Sequence, residues 1–133
     1  MPKIAVLFAL VVLLAGCDER ERFTLPSENP GDDEVGPVSD IDIPGMDTVI
    51  TPGEPFIVGG RSVDSSGVDT VYIAIDGGVV NFSPIPGGGA DTVRFGLPIP
   101  TEGQSGEIIT ITVRGVDLFG NRGAPVFRQL TIQ

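Results

Sequence analysis

The sequence predicts an all-β fold, an antiparallel sandwich of seven strands over residues 47–133. Two observations predict it: short β-branched runs recur from Thr48 to the end of the chain, and glycine-rich turns separate them. A third, the alternation of apolar and polar residues within the longer runs, says which side chains meet in the core. In order, the expected strands are residues 48–51, 55–63, 68–76, 79–83, 91–97, 107–117 and 125–132. The second brings Phe56 and Val58 to the core. The third places Val71, Ile73 and Ile75 on one face and Thr70, Tyr72 and Ala74 on the other. The fourth, residues 79–83, is a short run bounded by glycine and proline. The fifth contributes Val93, Phe95 and Leu97 inward, and the sixth sets Ile109, Ile111 and Val113 against Thr110, Thr112 and Arg114. The seventh is less regular, because Arg128 shares parity with Leu130 and Ile132. Either Arg128 lies beyond the edge of the core or a bulge shifts the register.

Three segments carry a family resemblance. Val63-Asp64-Ser65-Ser66-Gly67-Val68 is followed by Val71-Tyr72-Ile73-Ala74-Ile75-Asp76-Gly77 and then by Val113-Arg114-Gly115-Val116-Asp117-Leu118-Phe119-Gly120-Asn121. In this order they resemble the D-x-x-G-V, strand-D-G and D-x-x-G-N signatures of bacterial Ig-like domains, which implies an immunoglobulin-like sandwich. The chain departs from vertebrate immunoglobulin domains in lacking the inter-sheet cysteines and the core tryptophan. It has one copy of the pattern rather than a tandem array, which argues against a long stalk.

Asp64 and Asp117 stand at strand ends before glycine turns, where a carboxylate accepts hydrogen bonds from the amides of its own loop. Gly67 and Gly120 are suited to positive φ. A calcium ion requires six to eight oxygens, and the side chains in view are Asp64, Asp117 and Asn121. These residues are therefore expected to brace turns, with no metal and no cofactor.

The beginning of the chain has a different character. A short cationic start, Met1-Pro2-Lys3, precedes an apolar run over residues 4–14, and Leu14-Ala15-Gly16 leads into Cys17, the only cysteine. The run is too short to span a bilayer, which takes about 20 apolar residues. With no second cysteine and no histidine, neither a disulfide nor a metal site accounts for Cys17. Leu14-Ala15-Gly16-Cys17 resembles the lipobox of bacterial lipoproteins, which implies cleavage before Cys17 and a diacylglyceryl group, with a further acyl chain such as palmitate, on that residue. Residues 1–16 are then the signal peptide. Membrane lipid is the expected partner of acylated Cys17, and the bacterial cell envelope the expected location, on the periplasmic face or at the cell surface.

Residues 17–46 are expected to be the lipidated cysteine and a disordered acidic tether. Between Asp18 and Asp47 there are ten acidic residues and two arginines, and Pro26, Pro30, Pro37 and Pro44 interrupt any period. Such a segment averages about 30 Å end to end as a flexible coil. On this reading residues 48–133 alone should be as stable as the mature chain.

Composition also excludes function classes. The formal net charge is −10, and no basic patch suits a phosphate backbone, so nucleic acid is not an expected partner. Asp76, Asp91, Glu102 and Glu107 lie beside turns without catalytic spacing, so the chain is not expected to be an enzyme. Gly87-Gly88-Gly89 lacks the lysine and helix of a phosphate loop. What remains is a lipid-anchored interaction or accessory module with an envelope protein as partner. The alternative is a cell-surface carbohydrate-binding module, for which Tyr72, Phe82 and Phe119 are the candidate exposed aromatics.

Overall fold

β-branched and aromatic side chains dominate the six strands of the structure, a computed structural model that describes residues 34–133. The predicted signal, Leu14, Ala15, Gly16, Cys17 and the tether up to residue 33 lie outside the described residues. The strands are β1 (Val38–Ile43), β2 (Thr48–Ile50), β3 (Phe56–Asp76), β4 (Ile85–Ile99), β5 (Ile108–Asp117) and β6 (Val126–Ile132). They form one sheet in the order β1-β3-β5-β6-β2, with β4 also paired to β3. Among the described residues there is no helix, and none long and apolar enough to cross a membrane.

The long β3 organises the sheet. Its first part, residues 56–63, lies between β1 and β4, and its last part, residues 68–76, pairs with β5. The register shifts between Val63 and Val68, at the Asp64-Ser65-Ser66-Gly67 segment, where β3 exchanges β1 for β5 while β4 stays paired with it as far as Val71–Ile85. The sheet thereby curls around one core. Val58, Phe95, Leu97 and Ile99 from one half pack with Val71, Ile109, Ile111, Val113, Leu130 and Ile132 from the other. Alternation in β5 is complete, with Ile109, Ile111 and Val113 fully buried.

The strand count and pairing differ from the expectation in four places. The second and third expected strands are one strand, β3, because the Asp64–Gly67 segment bends the chain without ending the ladder. Residues 79–83 form no strand. They connect β3 to β4, with Val79 exposed and Phe82 packed against the core. The sheet is not wholly antiparallel either, since β2 runs parallel to β6 through Thr48–Leu130, Val49–Thr131 and Ile50–Ile132. Six strands are thus present among the described residues, in place of seven.

The fourth difference is β1, which lies in the segment assigned to the tether. It pairs with β3 from Val38–Val63 to Ile43–Gly59 and buries Ser39 and Ile41. The approach is close. A Cβ on Gly123 would lie 1.8 Å from the Pro37 carbonyl oxygen, and one on Gly115 would lie 2.3 Å from Ser62 Oγ and 2.7 Å from Pro37 Cβ. The folded domain therefore begins before residue 47.

Arg128 resolves its own alternative. The β5–β6 register runs unbroken through Ile111–Arg128, so no bulge intervenes. The guanidinium lies at the core edge and donates from Nε to the Pro44 carbonyl (3.1 Å) and from Nη2 to the Ile41 carbonyl (3.3 Å). An inward-parity arginine thus ties β6 to β1 across the curl.

Candidate functional site

The turn aspartates lie at one end of the sheet, where β3 changes partners and β5 ends. Asp117 is 2% exposed, and its carboxylate accepts three hydrogen bonds. Oδ1 accepts from the Phe119 amide (2.9 Å) and the Asn121 amide (2.8 Å), and Oδ2 from Asn121 Nδ2 (2.8 Å). The backbone closes the same turn, with the Asp117 amide donating to the Asn121 carbonyl at 3.1 Å and the Gly120 amide to the Asp117 carbonyl at 3.2 Å. Gly120 turns at a φ of 88°.

Asp64 serves a smaller turn. Its Oδ1 accepts from the Ser66 amide at 2.7 Å. Gly67 has a φ of 93°, and a Cβ there would lie 2.7 Å from the Gly89 carbonyl oxygen, so side chains are excluded on two counts. The two turns meet where the Leu118 amide donates to the Gly67 carbonyl at 3.1 Å and Val68 pairs with Asp117. Among the described residues no group of three or more His, Cys, Asp or Glu side chains is placed to hold a metal ion. The acceptor capacity of Asp117 is largely taken up by its own loop.

Asp117→Ala is therefore expected to cost about 1–3 kcal/mol, since three donors lose their acceptor. Asp117→Asn keeps one carbonyl oxygen and should cost less. Urea titration of the three proteins orders them, and millimolar calcium should leave all three midpoints unchanged. A calcium-dependent rise confined to the wild type would reassign the turn to ion binding.

The outer face of the second half of the sheet carries another cluster. Tyr72 pairs with Arg114 across β3 and β5, and Thr112 pairs with Phe127 across β5 and β6. Tyr72 is 49% exposed and Phe127 61%. Two hollows flank the Tyr72–Arg114 pair: one of about 240 Å³ reaches Val116 and Arg122, and one of about 450 Å³ reaches Ala74, Thr112 and Pro125. A third hollow, of about 270 Å³, lies between Val38, Val63 and Asp64 near the β1 edge. Each of these holds at most one carboxylate.

Of the aromatics expected at the surface, Tyr72 and Phe119 are exposed, but Phe82 packs against the core. Phe127 is exposed without having been singled out. The signal was available in its parity, opposite to Leu130 and Ile132 once Arg128 is read as an inward residue at the edge. Arg114 carried the same signal, lying on the outward parity of β5, whereas Arg122 follows a turn and no periodicity points to it.

No protein-family model matches the chain, and no curated protein does. Among solved structures it is similar to a mutant of the SrpA adhesin from Streptococcus sanguinis, with 21% identity, 76% of this chain and 57% of that chain covered, and a TM-score of 0.48. It is also similar to an engineered protein, with 19% identity, 73% of this chain and 20% of that chain covered, and a TM-score of 0.44. The chain thus spans little more than half of the adhesin chain and a fifth of the engineered one.

Proposed function

We propose that the protein is a lipid-anchored, non-catalytic component of the bacterial cell envelope whose β-domain, an Ig-like module, makes contacts with another envelope protein. Leu14-Ala15-Gly16-Cys17 is the observation that carries this reading, because it follows an apolar run of signal length and holds the only cysteine. Two or more acyl chains on Cys17 anchor a protein stably where one does not. No polybasic stretch follows Cys17, so attachment rests on the acyl chains. The domain supports the module reading through its surface. Its hollows are shallow features of a curled sheet, none of those described pairs two carboxylates, and exposed apolar side chains such as Val38, Val49 and Ile57 stand on open strand faces.

The carbohydrate-binding alternative draws on the exposed aromatics. Tyr72 and Phe127 share an outer face but sit two strands apart, and Phe119 is on the turn that Asp117 closes. That spacing suits separate contacts better than a stacking platform for a sugar ring.

Metabolic labelling with an alkyne fatty acid tests the anchor. The wild type should be labelled and partition into detergent with the membrane fraction, and Cys17→Ser should be unlabelled and retain its signal segment. Equal labelling of the two would sink the proposal.

A further inference from the structure

Among the described residues two arginines are engaged and three, Arg94, Arg114 and Arg122, form no ion pair; of these three, Arg114 and Arg122 lie together. Arg61 sits 3.9 Å from Asp42, and Arg128 is spent on backbone carbonyls. Arg114 and Arg122 line the same hollow as Tyr72 and Val116, and neither has an ion-pair partner among the described residues. The Nε of Arg114 is buried and has no acceptor among the described residues. No carboxylate lines either hollow beside Tyr72, although the whole chain carries a net charge of −10. Arg122 also borders the hollow of Glu34 without forming an ion pair to it.

We propose that the Tyr72–Arg114–Arg122 groove on the outer face of β3 and β5 binds an acidic peptide segment of the partner protein, with the two guanidiniums taking its carboxylates and Tyr72 and Pro125 packing against its backbone and apolar stems. This rests on the module reading given above and names the chemistry of its partner. Charge complementarity selects the occupant. A second copy of this chain, itself acidic, would bring mainly repulsion to the rest of the surface. Arg122 is exposed and Arg114 half-buried, and a planar guanidinium fork matches a carboxylate through two parallel hydrogen bonds. The flanking hollow along Ala74 and Thr112 leaves room for the residues on either side of the bound carboxylates.

The chain contains its own reporter, since Tyr72 is the only tyrosine and there is no tryptophan. Intrinsic tyrosine fluorescence of the lipid-free full-length mature chain, titrated with a short synthetic peptide of glutamates spaced by prolines, should change saturably. The response should weaken as salt is raised, and it should vanish with the same peptide carrying glutamine for glutamate. Arg122→Gln, on an exposed side chain, should weaken binding about tenfold without moving the melting temperature. Arg114→Lys keeps the charge but loses the fork, and should weaken binding by a similar factor. An unsaturable response, or undiminished binding by both variants, overturns the groove assignment. So does a uronate oligosaccharide that binds the groove where the peptide does not. Failure here is separable from failure of the module reading. If the doubly substituted chain still crosslinks in cells to the same envelope partner as the wild type, the groove is wrong and the module stands.

Discussion

A chain that begins at Thr48 is expected to have lost most of its stability, whereas one that begins at Glu34 should unfold in a single transition with the midpoint of the longer chain. The difference between them is β1. Ile41 is 1% exposed and belongs to the core, and removing a buried isoleucine costs about 2–5 kcal/mol. Ser39 is buried too. Its Oγ lies 3.1 Å from Ser62 Oγ and accepts from the Gly115 amide at 3.1 Å, so its loss leaves buried polar groups unpaired, at about 1–3 kcal/mol each. Arg128 would also lose its acceptors on Ile41 and Pro44. Together these approach the total stability of a small domain, about 5–15 kcal/mol. Circular dichroism in a urea series reads the result, and coincident midpoints for the two chains would show that β1 adds little. A peptide of residues 34–47 added to the shorter chain should restore part of the lost structure.

β1 was illegible for a physical reason. Its sequence, Val38-Ser39-Asp40-Ile41-Asp42-Ile43, alternates, but the inward positions hold one serine and one isoleucine while Val38 and Ile43 are exposed. Val38 has the parity opposite to Ile41, and Ile43, which shares the parity of Ile41, is exposed, so apolar parity alone does not mark the inward face. The inward serine is tolerated only because Ser62 and the Gly115 amide, 23 and 76 residues away in sequence, supply its partners. A reading that treats prolines and acidic residues as marks of disorder assigns such a strand to the tether. The strands that were legible, β5 above all, are those whose inward residues are uniformly apolar and whose neighbours impose nothing unusual.

The turn site shows the same division. That Asp117 and Asn121 act on one loop was readable from their spacing, since the bonds involved span two and four residues. That residues 56–76 make one strand was not, because Gly67 reads as a turn in any local window. Only the tertiary partners, β1 before it, β5 after it and β4 on both sides, show that the chain bends there and keeps its ladder. The Tyr72–Arg114–Arg122 groove lies further from legibility still. It depends on the isolated pairing of Val116 with Arg122, which brings the residue after the Asp117 turn back alongside β5.

Ile111→Ala should destabilise the protein by about 2–5 kcal/mol, and Thr112→Ala by well under half of that. The two residues are neighbours on one strand and differ in the face they present. Ile111 is fully buried, pairs with Ile75 on β3 and with Arg128 on β6, and sits where the two halves of the curled sheet meet. Removing its side chain leaves a void that the flanking β-branched residues cannot close, since their rotamers are held by the strands on either side. Thr112 faces outward between Ala74 and Phe127, so its truncation removes contacts at a surface that water can refill. Chemical denaturation of both variants beside the wild type measures the contrast. If Thr112→Ala proved the costlier change, β5 would be out of register by one residue, and the outward placement of Arg114 and Tyr72 would fall with it.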